Sequence, residues 1–70
     1  MAVTKETIMN SIGNIRRVRY TTDTGEECAC YGRLLDLDYR GLVYIAVEVG
    51  GKLFDHFSIP ADRITRVESV

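Results

Sequence analysis

At Ile15 the apolar pattern changes its period, and no other feature constrains the fold as much. Before that point Ile8, Met9, Ile12 and Ile15 recur at helical spacing. After it, apolar, β-branched and aromatic residues alternate with polar ones between turns that contain glycine. The chain is 70 residues long, which allows one small core and one domain, 1–70. The expectation is a short helix over 4–13, capped by Thr4 and stopped at Gly13-Asn14, followed by a β domain over 15–68.

Turn chemistry divides the β region into five strands. Asp23-Thr24-Gly25 reads as a three-residue hairpin loop. Closing it puts Tyr20 opposite Cys28, Val18 opposite Cys30 and Arg17 opposite Tyr31. Val18, Tyr20, Cys28 and Cys30 then point inward, while Arg17, Arg19, Ala29 and Tyr31 point outward. The second strand runs on through Gly32 to Asp38, with the glycine where a small barrel bends its sheet. After Tyr39-Arg40-Gly41, Leu42 to Val49 form a strand expected to be central, with Val43, Ile45, Val47 and Val49 on one face. Gly50-Gly51 leads into Leu53 to Ile59. Two-residue and three-residue loops give opposite facings to Phe54 and Phe57, and the three-residue loop, which pairs Ile45 with Phe57 and Val43 with Ile59, is preferred. Pro60-Ala61-Asp62 reads as a tight helical turn before a last strand carrying Ile64 and Val67. The fold class is mainly β: a short N-terminal helix and a five-stranded antiparallel SH3/Sm-like barrel.

Composition narrows the class of function. Apolar residues are 46% and charged residues 27% of the chain, and the net charge is −1, so nucleic acid or anionic lipid could be attracted only by a local patch. No apolar run is long enough to span a bilayer and the start lacks a signal-peptide pattern, so the expected compartment is the cytoplasm. Cys28 and Cys30, with His56 far along the chain, fall short of a four-ligand zinc site and read as reduced, buried, small apolar residues. His56 has no nucleophile at motif spacing. Asp36 and Asp38 are better explained by the end of a bent strand beside Arg40 than by an acid/base pair, and Gly50-Gly51 lacks the Lys-Ser/Thr of a P-loop. No catalysis, cofactor or metal is expected.

Two surfaces carry the binding chemistry instead. Arg17, Arg19, Tyr31 and Arg33 combine cations with an aromatic ring on one outward face, able to contact a protein or to hold phosphate and stack a base. Tyr39, Arg40 and Tyr44 around the next turn are the alternative binding surface, since exposed aromatic residues mark protein contacts.

The stretch Gly32-Arg33-Leu34-Leu35-Asp36-Leu37-Asp38, preceded by Gly25 in the first turn, resembles the first motif of Sm-like proteins. Gly32, Leu34 and Asp38 stand where that family has its bend, core leucine and strand-ending aspartate. Leu42 replaces its base-contacting Asn, and its second, Arg-Gly motif is missing. The ending Phe57-Ser58-Ile59-Pro60-Ala61-Asp62-Arg63-Ile64 instead looks like the YolD-like and WYL-type barrels of bacteria and phages, a likeness covering about 15–68. A YolD-like resemblance implies an accessory or regulatory protein partnering a DNA-damage polymerase system. A WYL-type one implies a regulatory module sensing nucleic acid or a nucleotide. The expected function is a non-catalytic binding module: a protein-binding accessory or regulatory factor, with a nucleic-acid-binding barrel and a self-assembling homo-oligomeric subunit as alternatives.

Overall fold

The computed structural model describes residues 3–70, with the side chain of Phe54 outside the described set. The elements are α1 (Lys5–Ser11), β1 (Ile15–Thr21), β2 (Glu27–Leu37), β3 (Leu42–Val49), β4 (Lys52–Pro60), a 3₁₀ turn (Ala61–Arg63) and β5 (Ile64–Ser69).

Helix α1 starts where Thr4 Oγ1 accepts the backbone N–H of Thr7 at 3.2 Å. It ends earlier than the expected residue 13, because Ile12 is already extended and Gly13 takes a φ of 88°. The buried face also differs from the expected stripe. Ile8 and Ser11 are buried and Ile12 packs on the core, whereas Met9 is 61% exposed and Ile15 stands largely in solvent. Residues 8, 11 and 12 share one side of a helix, and Met9, a hundred degrees of rotation from Ile8, does not. The Ser11 hydroxyl donates to the Thr7 carbonyl at 3.0 Å, which allows it to be buried. Two main-chain bonds, Gly13 N–H to Leu34 O at 2.7 Å and Leu34 N–H to Asn14 O at 3.1 Å, tie the helix exit to β2.

The strands form one antiparallel sheet in the order β4-β3-β2-β1-β5. Strand β3 is interior but not central; the middle position belongs to β2, whose 11 residues let it serve two long neighbours. The first hairpin has the expected register, with Tyr20 opposite Cys28, Val18 opposite Cys30 and Arg17 opposite Tyr31. Gly25, at a φ of 84°, closes its loop by donating to Thr22 O at 2.9 Å.

The turn between β3 and β4 departs from expectation. Val49 pairs with Lys52, so the loop is the two residues Gly50-Gly51, not three. A bulge then separates the pairs Val47–Asp55 and Glu48–Leu53, and its extra residue restores the expected pairs Ile45–Phe57 and Val43–Ile59. Phe57 is half-buried against the core, while the facing of Phe54 lies outside the described residues. Further bulges fall between Leu34 and Asp36 and between Arg19 and Tyr20, and each adds local twist to the sheet.

One core results. Ile8, Val18, Leu34, Val43, Ile45 and Ile64 are fully buried, and Ile59 and Ala61 complete the cluster. Each large aliphatic chain there contributes roughly 1.5–3 kcal/mol of burial. Val49, expected to share a face with Val43, Ile45 and Val47, is 62% exposed, because it sits at the hairpin tip beyond the last core layer. The cysteines are free and only half-buried, which corrects the expectation of full burial: they occupy the end of β2 nearest the hairpin loop.

Candidate functional site

The β1–β2 ladder puts Arg17 beside Tyr31 and Arg19 beside Ala29, with Ile15 opposite Arg33, so the four residues singled out by sequence share one face of the sheet. Their electrostatic situations are unequal. Arg19 Nε donates to Glu68 Oε1 at 2.9 Å, and Arg66 Nε lies 3.9 Å from the other oxygen of that carboxylate. Arg33 Nε donates to Glu48 Oε1 at 2.7 Å and its Nη1 to the Gly13 carbonyl at 2.8 Å, so this side chain also ties down the helix exit.

Arg17 is different. Its guanidinium carbon lies 5.8 Å from the centre of the Tyr31 ring. Glu68 is its cross-strand neighbour on β5, yet that carboxylate is engaged by Arg19. Among the described residues Arg17 has no ion-pair partner, and its Nε is buried without an acceptor. Tyr31 is 57% exposed, and exposed Ile15 adds apolar surface beside it. A shallow cleft of about 60 Å³ opens there, lined by Ile15, Tyr31, Gly32, Arg33 and Glu48. Glu48, Arg66 and Glu68 were not singled out from sequence. The alternation of Arg66 and Glu68 along β5 was the one available signal, and it needed the β1–β5 register to be used.

The alternative surface is a locked turn. Asp38 Oδ1 accepts the backbone N–H groups of Arg40 at 2.9 Å and Leu42 at 3.0 Å. Its Oδ2 accepts from Arg40 Nε at 3.2 Å, Arg40 Nη2 at 3.1 Å and the Tyr44 hydroxyl at 2.9 Å. Chiefly through the Leu42 N–H, and then through Tyr44 and Arg40, these donors pull the Asp38 pKa down to about 2. Arg40 and Tyr44 therefore direct their polar groups at Asp38. Tyr39, 96% exposed with the Arg40 guanidinium 6.0 Å from its ring, is the outward-facing member of the three.

The remaining polar chemistry is dispersed. Asp36 caps the N–H of Leu37 at 2.8 Å and His56 is exposed on β4 opposite Ala46. Burial, and then neighbouring Cys28, push the Cys30 thiol up, which lowers its thiolate fraction. Among the described residues no three His, Cys, Asp or Glu side chains converge as metal ligands, and no helix is long and apolar enough to cross a membrane. In comparisons with protein-family models, curated proteins and solved structures, none matches the chain.

Proposed function

We propose that this chain is a non-catalytic binding module, a protein-binding accessory or regulatory factor of a bacterial or phage cytoplasm, that meets its partner through the Arg17–Tyr31 face. The observation that carries this reading is the exposed Tyr31 ring under an arginine that has no ion-pair partner among the described residues, bordered by exposed Ile15. An aromatic anchor with an adjacent arginine is the combination that dominates protein–protein contacts. The resemblance to YolD-like proteins points to the same class. In this reading the twisted sheet is an SH3/Sm-like barrel. Its three bulges, the 3₁₀ link between the two edge strands and the Asp23–Arg63 ion pair, which joins the first hairpin loop to that link, all favour closure.

The second reading is a nucleic-acid-binding barrel, favoured by the same Arg17–Tyr31 pair, which could hold a phosphate and stack a base. It is weakened by Glu48 and Glu68, which occupy Arg33 and Arg19, the cations a phosphate backbone would need. A pull-down from lysate, with and without nuclease, separates the two. Capture of a protein that persists after nuclease and is lost with Tyr31→Ala supports the first reading. Capture abolished by nuclease supports the second. Self-assembly through β4 and β5, which the strand order leaves as edges, is tested by the mass in solution across a concentration series.

A further inference from the structure

Among the described residues Arg17 is the cation of this face that has no carboxylate of its own. Glu68, the carboxylate that its register places opposite, is held by Arg19 at 2.9 Å. On this face Glu48 pairs with Arg33, and Glu68 with Arg19 and Arg66, although the whole chain carries a net charge of −1. Arg17 is left over from these pairs, and the place for its carboxylate is beside Tyr31. The cleft that shares Tyr31 holds about 60 Å³, room for the volume of roughly two water molecules or a small aliphatic side chain.

We propose that this face takes an acidic peptide segment of a partner protein, one Asp or Glu carboxylate on Arg17 and a neighbouring Ala- or Val-sized side chain in the cleft beside Ile15 and Gly32. The inference rests on the protein-binding reading and specifies the partner's chemistry. A guanidinium fork matches a single carboxylate in a bidentate geometry. Glu48, on the cleft rim and held by Arg33, repels a second acid and disfavours a run of phosphates, so the face selects an isolated acid next to a small apolar group.

A random-peptide display library panned on the intact chain supplies the probe, and an enriched peptide is then titrated while the Arg17 Nε–H and Tyr31 ring resonances are followed. The expected result is enrichment of Asp or Glu beside Ala or Val, with shifts at both residues. Arg17→Gln should weaken the enriched peptide on the order of tenfold or more, and Arg17→Lys by less. Changing the peptide's acid to its amide should produce the same loss on the wild-type chain, and the two changes together should cost little more than either. Because the amide peptide is tested on the unmodified chain, the result stands even if Arg17→Gln fails to fold. Enriched peptides without an acid, or peptides indifferent to Arg17→Gln, overturn the inference, and if Tyr31→Ala still weakens them the protein-binding reading survives. Shifts at Arg17 with oligothymidylate but with no peptide, or with neither probe, overturn both.

Discussion

Gly32 has no space for a side chain. A Cβ built on it would lie 2.4 Å from Ile45 Cγ2 and 2.9 Å from the Ala46 carbonyl oxygen, and a backbone oxygen in a ladder cannot move aside cheaply. Gly32→Val should therefore cost about 3 kcal/mol in urea unfolding, and a loss below about half a kcal/mol would remove this role. The position was legible in sequence because a lone glycine inside a strand pattern signals close approach. Asp38 yields a pH prediction. Its folded pKa of about 2 lies below the ordinary 3.8, so the folded state binds fewer protons there. Its contribution is complete above the ordinary carboxylate range and is lost as pH falls through about 2. The stability gap between the wild type and Asp38→Asn should accordingly be widest near neutrality and shrink from about pH 4 toward pH 2 in melting experiments. A gap that stays constant would show that the carboxylate's charge has no part in holding the turn.

The first hairpin could be read from sequence because its loop chemistry and its inward residues agree on one register. The β3–β4 hairpin could not, since the bulge in β4 has no local signature: it reveals itself only when the Gly50-Gly51 turn and the Ile45–Phe57 pair must both be satisfied. Helix α1 exposes a different limit. Its spacing showed an apolar side, but which residues meet the sheet depends on how the helix docks, and docking brings Ser11 in and leaves Met9 out. Ile8→Ala should cost about 2–5 kcal/mol, because it opens a cavity in a fully packed core, whereas Met9→Ala should stay within about half a kcal/mol. Equal effects in urea unfolding would mean that α1 is not docked through Ile8.

The candidate face shows how far charge can be judged before the strands are assembled. The hairpin register alone brought Arg17, Arg19, Tyr31 and Arg33 together. The glutamates that engage two of them come from 49 and 15 residues away, on β5 and β3, so the sequence suggested three equivalent cations where, among the described residues, the fold leaves one. That difference shapes the response to salt. With a protein partner, attraction to Arg17 should act mainly on encounter, so added salt should slow association and change dissociation little, while Tyr31→Ala, which removes the aromatic anchor, should raise the off-rate. With nucleic acid, the equilibrium constant itself should fall steeply and linearly in log salt. Charge reversal at Arg17 and Arg19 together should remove binding in either case. It breaks the exposed Arg19–Glu68 pair, but such a pair is worth only about 0–1 kcal/mol, so the fold should remain. Kinetic traces for the captured partner at several salt concentrations decide the matter. Binding that survives both the double reversal and Tyr31→Ala would eliminate this face and move the contact to the turn where Tyr39 stands almost wholly in solvent beside Arg40 and Tyr44.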